Sequence, residues 1–229
     1  MVYKKTIVIS LGGSLVVPDQ INVTFLKKFR SLILSRVRRG ERFIIIVGGG
    51  KIARRFQSAA NKITKLQLDD IDWLGIHATR LNAHLLRTLF RDVAHPQLIT
   101  AKEKMNSRIT APVVIAAGFR PGSSTDYCAV LLAHAFDAKR ILNLSNIDWA
   151  YTKDPKKHKD AKLIKEISWK AFRKIVGNTW NPGANVPFDP VASRWAQRYG
   201  MTVVITRGTD IANLSKIFSG RKAKGTVVG

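Results

Sequence analysis

Apolar residues fall in two kinds of run along this chain. Short, mostly apolar blocks at Thr6 to Leu11, Phe43 to Val47, Gln97 to Thr100, Val113 to Ala117, Arg140 to Leu144 and Met201 to Thr206 predict strands suited to a sheet covered on both faces. Between them the apolar positions return with helical period. Phe25, Phe29, Leu32, Ile33 and Val37 form one stripe that stops at Gly40, and a second spans Trp73 to Phe90. Further helices are predicted at Asp126 to Ala138, Ser168 to Val176, Asp189 to Tyr199 and Thr209 to Phe218, the last two flanked by Gly200 and Gly220 as stop signals. A short strand, Gly225 to Val228, closes the chain. Strand and helix alternate almost to the end, the pattern of an α/β fold. No repeat or low-complexity linker interrupts it, and Lys153 to Lys162 is the most loop-like segment.

Where two of these strands end, glycine takes over. Phe43 to Val47 runs into Gly48-Gly49-Gly50 and then a basic helix start, Lys51-Ile52-Ala53-Arg54-Arg55. Three residues without side chains let backbone N–H groups approach an oxyanion, and the free amides of a helix start add a favourable dipole. Lys51 and Arg54 put full charges at the same end, so phosphate is the guest this arrangement suits. The first strand breaks similarly at Gly12-Gly13-Ser14, a turn that reads either as a tight connection or as a second phosphate loop. Neither place carries G-x-x-x-x-G-K-[ST] or G-x-G-x-x-G, which counts against a P-loop enzyme and a dinucleotide fold.

A third site follows Val113 to Ala117: Gly118-Phe119-Arg120-Pro121-Gly122-Ser123-Ser124-Thr125-Asp126 leads into a helix. Ser124 or Thr125 suffices as a plain N-cap, while Arg120 and the Pro-Gly turn add the means to hold another phosphate. The fourth feature, Asn146 to Pro155, presents Tyr151 and Asp154 after a strand end. They suit either a base and a ribose hydroxyl or a tyrosine anchor before an Asp-Pro turn.

Composition narrows the setting. The 229 residues, 45% apolar, suffice for one large domain or two fused lobes. No apolar run reaches membrane-spanning length and the first strand starts at once without room for a signal peptide, so a cytoplasmic protein is expected. The single cysteine, Cys128, lies in an apolar helix and reads as a packed thiol. Thirty-nine Lys and Arg against fifteen Asp and Glu give a formal charge of +24. That excess attracts any polyanion without naming one. Its residues, among them Lys27, Lys28, Arg36, Arg38, Arg39, Lys156, Lys157, Lys159, Arg221, Lys222 and Lys224, are spread along the chain, largely on predicted polar helix faces or loops, with no defined nucleic-acid motif. No metal ligands are assigned: His77 and His84 share a helix face but have no carboxylate or cysteine at ligand spacing.

The order of the four features carries a resemblance. Ile9-Ser10-Leu11-Gly12-Gly13-Ser14, Val47 to Arg54, Asp72 to Ile76 with Thr79 to Ala83, Pro121 to Asp126, Asn146 to Pro155 and Asp189-Pro190-Val191-Ala192 together resemble the amino-acid kinase fold family, most closely its uridylate (UMP) kinases of archaeal type. The resemblance implies a three-layer α-β-α sandwich with a largely parallel central sheet, the carbamate kinase-like fold. It implies a single domain over residues 1–229, with 1–138 on the UMP side and 139–229 on the ATP side. ATP would meet Gly13, Ser14, Gly50, Arg54, Ser145, Asn146, Tyr151 and Asp154. UMP would meet Gly49, Asp72, Arg120, Pro121, Gly122, Ser123, Ser124, Thr125 and Asp126. Lys51 and Arg54 would be catalytic, Mg²⁺ would accompany ATP, and dimers would assemble into hexamers.

Three positions depart from the family pattern: Ser10 where many members carry lysine, Trp149 where glycine is usual, and Ser124 for threonine. The indole of Trp149 either stacks near adenine or fills part of the pocket. Three other readings share these residues: a kinase of the same fold acting on isopentenyl phosphate, carbamate or an acyl amino acid; a nucleotide-binding protein without turnover; and a nucleic-acid-binding protein using the basic surface.

Overall fold

The computed structural model describes residues 3–106, 108–179 and 186–229. In chain order the elements are β1 (Lys5–Leu11), α1 (Gly13–Val16), α2 (Val23–Val37), β2 (Glu41–Val47), α3 (Gly50–Ile63), α4 (Leu68–Leu89), β3 (Val113–Ala116), α5 (Thr125–Ala135) and β4 (Arg140–Ser145). They continue with β5 (Ala150–Tyr151), β6 (Leu163–Ile164), β7 (Glu166–Ile167), α6 (Trp169–Val176), α7 (Pro190–Arg198), β8 (Thr202–Arg207), α8 (Ile211–Phe218) and β9 (Thr226–Val228). Among the described residues the main sheet has seven strands in the order β3-β2-β1-β4-β8-β9-β7. β3, β2, β1, β4 and β8 run parallel, β9 turns back against β8, and β7 follows β9. Strands β5 and β6 pair as a separate antiparallel hairpin.

Period-two alternation sorts the strand side chains into two cores. Val8, Ile44, Ile46 and Val114 point toward α5, α6 and α7, packing on Cys128, Phe172 and Ala192. Ile7, Ile9, Phe43 and Ile45 point the other way onto Phe29 of α2, Leu86 of α4 and Leu214 of α8. Helices therefore cover both faces, and β2 is buried from end to end. Cys128 is fully buried, which pushes its thiol up to about 12. A buried pair, Arg36 with Glu41, closes the far end of α2. Arg36 Nε donates to Glu41 Oε2 at 2.8 Å, and the same guanidinium donates to the Phe218 carbonyl at 2.9 Å.

Element boundaries moved for identifiable reasons. The predicted strand Gln97–Thr100 is only a bridge at Ile99, whose N–H and carbonyl pair with β3's edge; Pro96, between this bridge and the one at Ala94, has no amide to extend a ladder. α4 begins at Leu68, ahead of the predicted Trp73, with no side-chain cap at Gln67 to mark its start. The helix predicted to reach Ala138 ends at Ala135 because Asp137 turns left-handed, φ 49°. Ser168, Asp189 and Asp210 prove to be caps, each accepting from a backbone N–H three residues on.

Candidate functional site

Because β1, β2 and β4 are parallel neighbours in register, their carboxyl ends finish side by side, with Leu11 opposite both Val47 and Leu144. The two glycine turns thereby meet. Gly48 N–H donates to the Leu11 carbonyl at 2.9 Å, and the backbones then close so tightly that no side chain fits between them. A Cβ on Gly13 would lie 2.2 Å from Gly50 N and 2.3 Å from Gly48 O. Gly50 adopts φ +65°, and a Cβ there would lie 2.5 Å from Gly13 O. Glycine is thus required by space at one turn and by both space and backbone angle at the other. The result is a crest of bare backbone where α1 and α3 begin.

Helix α4 stitches this crest to the third loop. Asn82 Nδ2 donates to the carbonyls of Gly48 at 2.8 Å and Gly49 at 3.2 Å. One turn earlier, Thr79 Oγ1 accepts the Gly118 N–H at 2.8 Å, and Asp72 Oδ2 accepts the Gly122 N–H at 2.7 Å. Asp72 and the segment Arg120 to Thr125, read separately in the sequence, are therefore one unit. Gly122 differs from the crest glycines: its φ of +77° calls for glycine, but an added Cβ would touch nothing within 4 Å. Ser124 accepts from Tyr127 N–H at 3.0 Å as the N-cap of α5, and Arg120 is exposed beside it without an acidic partner among the described residues. Pro121, Ser123 and Thr125 complete this half-exposed loop.

Asp126 turns inward. Its carboxylate accepts from Ser10 Oγ at 2.8 Å and from the Asp189 N–H at 3.2 Å, tying α5 to the end of β1 and to the cap of α7. Desolvation pushes Asp126 up to about 6, with the neighbouring Asp189 carboxylate adding to the rise; the Ser10 hydroxyl opposes it. Asp189 is raised too, chiefly by burial, against the backbone N–H of Ala192 and the Ser124 hydroxyl, which favour its charged form; Oδ1 accepts from Ala192 N–H, while Oδ2 is buried with no partner at hydrogen-bonding geometry among the described residues. Ser10, the first departure from the family pattern, is thus a hydroxyl donor to an inward-facing, part-buried carboxylate.

The remaining predicted residues frame the other side. Gly12 N–H donates to the Leu144 carbonyl at 2.8 Å and Gly208 N–H to the Ser145 carbonyl at 2.9 Å, so Ser145 and the exposed Asn146 stand beside Gly13 and Ser14. Tyr151 pairs with Leu163 in the β5–β6 hairpin, and Asp154 accepts from Lys156 N–H at 3.0 Å. Arg54 is exposed on α3 with no acidic partner among the described residues. Lys51 instead donates to Asp19 Oδ1 at 2.9 Å, an exposed contact shared with Arg55 that lowers the Asp19 pKa. Sequence reading gave Asp19, Thr79 and Asn82 no role. Thr79 and Asn82 lay in a segment quoted for the resemblance, and their further signal was position: a small polar residue on α4's buried face needs a partner, and Asn82 is only 2% exposed; Asp19 carried no signal.

This arrangement can hold two phosphate groups near one another, one over the crest and one at the loop that α4 ties to it. A family model described as the amino acid kinase family matches residues 5–207. The uridylate kinase of Hyperthermus butylicus is 32% identical over 227 residues, covering 99% of both chains, and that of Pyrococcus abyssi is 34% identical over 224 residues, 97% of this chain and 98% of its own. The crystal structure of the Archaeoglobus fulgidus uridylate kinase superposes with a TM-score of 0.83 at 30% identity, covering 97% of this chain and 99% of that one. With the match spanning β1 to β8 and the relatives aligned end to end, the chain belongs to the amino acid kinase family.

Proposed function

We propose that the chain is a UMP kinase, transferring the γ-phosphate of ATP to UMP to give ADP and UDP. The observation that carries this is the interlocked glycine crest joined through α4 to a second anion loop, in a chain whose relatives named uridylate kinases align over their whole length. Gly13, Ser14 and Gly50 would face the ATP phosphates with Arg54 beside them, and Ser145, Asn146, Tyr151 and Asp154 the adenosine. Gly49, Asp72 and the segment Arg120 to Thr125 would hold UMP, with Asp126 fixing that segment from below. This divides the single domain near residue 138 into a UMP side and an ATP side.

A UMP phosphate oxygen attacks the γ-phosphorus; the new P–O bond forms as the bond to the β-phosphate oxygen breaks, and ADP leaves with that electron pair. The acceptor is already ionised at neutral pH, so alignment and charge neutralisation suffice without a general base. Bound with ATP, Mg²⁺ would supply neutralisation of phosphate charge. Asp189, whose Oδ2 has no partner at hydrogen-bonding geometry among the described residues, is the carboxylate that would face it through water. Lys51 reaches the reaction only by leaving Asp19, so Arg54 is the stronger candidate for charge at the crest.

A homo-oligomer built from dimers fits the surface. α3 buries only Ala53, leaving Phe56 at 62% and Ile63 at 87% exposure. No helix among the described residues is long and apolar enough to cross a membrane, which fits a cytoplasmic place in pyrimidine nucleotide synthesis. The test is UDP formation from ATP, Mg²⁺ and UMP beside CMP, dUMP, isopentenyl phosphate and carbamate. Turnover preferring UMP is expected; preference for a non-nucleotide acceptor would overturn the reading.

A further inference from the structure

On the α8 side of the sheet a groove of about 600 Å³ opens between α8 and the strands β7 and β9. It is lined by the indole of Trp149 and by Lys165, Lys216, Lys222 and Lys224. None of these lysines has an acidic partner within ion-pair distance among the described residues. Two acids also line it, Glu166 and Asp210, and the Asp210 carboxylate already accepts the Asn213 N–H at 2.9 Å. Four cations against two carboxylates leave the groove positive. None of the residues assigned to ATP or UMP lines it.

Its walls are built rather than draped. Asn213 Nδ2 donates to the Lys224 carbonyl at 2.8 Å and to Thr206 Oγ1 at 3.1 Å, while Lys224 N–H donates to Asn213 Oδ1 at 2.8 Å. These bonds hold the loop that carries Lys222 and Lys224 against α8. Trp149 is clamped on both sides. Before it, Asp148 takes a two-point pair from Arg207, Nε at 3.0 Å and Nη2 at 2.9 Å; after it, Ala150 N–H donates to Thr226 Oγ1 at 2.8 Å. The backbone on either hand of Trp149 is thus fixed, so the ordering left for a ligand to impose falls on the lysine side chains.

We propose that this groove is a second binding site, separate from the crest, for a ligand that joins an aromatic base to phosphate. Trp149 stacks the base and the lysines take the phosphate. That chemistry has two sources, a free nucleoside monophosphate and a stretch of single-stranded RNA. Lysine side chains supply attraction without the fixed geometry of backbone amides, so the site binds and does not react.

The full chain is titrated with radiolabelled AMP in equilibrium dialysis and, separately, with a fluorescein-labelled ten-nucleotide uridylate by anisotropy. The variants are the double Lys222→Gln/Lys224→Gln, the single Trp149→Ala and, as controls, Lys222→Arg/Lys224→Arg and Arg54→Ala. The glutamine double variant and Trp149→Ala are each expected to weaken a probe at least tenfold, and the arginine pair to retain binding. Arg54→Ala should leave this binding in place, and the glutamine pair should leave kcat and KM for ATP and UMP unchanged. AMP and oligonucleotide binding alike per site identifies the free nucleotide; oligonucleotide binding at least tenfold tighter and steeply weakened by salt identifies RNA. Equal probe binding by the native chain and both groove variants overturns the site. Loss of probe binding only in Arg54→Ala overturns it as well, by returning all binding to the crest.

Discussion

The crest and the groove are two places proposed here to take phosphate, yet they are built from opposite materials. At the crest, side chains are excluded: Gly13, Gly48 and Gly50 pack backbone on backbone, and even the carbonyls are held by Asn82. In the groove, long side chains do the binding and the backbone only carries them. Amides fixed in a close-packed frame cannot follow a ligand and therefore align it, which is what phosphoryl transfer needs. Lysines on flexible stems follow the ligand, which yields affinity without alignment. On the proposed roles, one fold separates reacting a phosphate from merely holding one.

The sharpest way to break this contrast is a single methyl group. Gly13→Ala drives a Cβ to 2.2 Å from the Gly50 nitrogen, and kcat for UDP formation is expected to fall by about 100-fold or more, the scale of a lost oxyanion donor. Gly122→Ala meets no neighbour; it costs only the strain of a left-handed angle, about 1 kcal/mol in chemical denaturation, with a few-fold loss of turnover. If both alanines cost the same in kcat, the crest is not special. Asn82→Ala should come next, with about tenfold lower kcat and about 1–2 kcal/mol lower stability from the lost contacts to the glycine carbonyls.

A smaller effect is readable by pH. Asp126 binds its proton more tightly folded, near 6, than unfolded, near the ordinary carboxylate value of 3.8. Between those values the folded state holds the extra proton, so this group makes stability decline as pH rises from about 4 to 6, after which the penalty is constant. Unfolding of Asp126→Asn followed across that window should lack this contribution; an unchanged slope would remove Asp126 as its source. Smallest of all, Asp19→Asn frees Lys51 and Arg55 from an exposed contact and is expected to change kcat by about twofold or less. A large rise would instead return Lys51 to the crest as a working charge.

Most of the frame was legible because burial writes itself as pattern. β1, β2, β4 and β8 are continuous apolar runs, and α2 shows its stripe openly. The two-residue strands β5 to β7 left no such pattern, since so short a ladder is set by its partners and not by its own composition. In the candidate site, residue types pointed to the glycine loops, and the family resemblance to Asp72. The sequence did not disclose how charges would be shared. Lys51 beside a glycine loop and Lys51 paired to Asp19 look alike in one dimension, and Arg36, counted with the basic polar faces, is in fact buried on Glu41 and the end of α8. Pairing across long separations is decided by packing, which local periodicity does not record.

That covering of Arg36 also sets a schedule for the newborn chain. Arg36 and Glu41 leave the ribosome together, but the Phe218 carbonyl that Arg36 needs is made 182 residues later. At the usual pace of roughly 5–20 residues per second, the guanidinium waits about ten to forty seconds for its last partners. β7 likewise waits for β9, the final strand of the chain, before it can join the sheet. The early half can collapse around β1 and β2, but its far end stays open until translation is nearly over. A chain released before Phe218 would leave Arg36 short of partners on a ragged face, a visible mark of an unfinished product for a cellular protease to find.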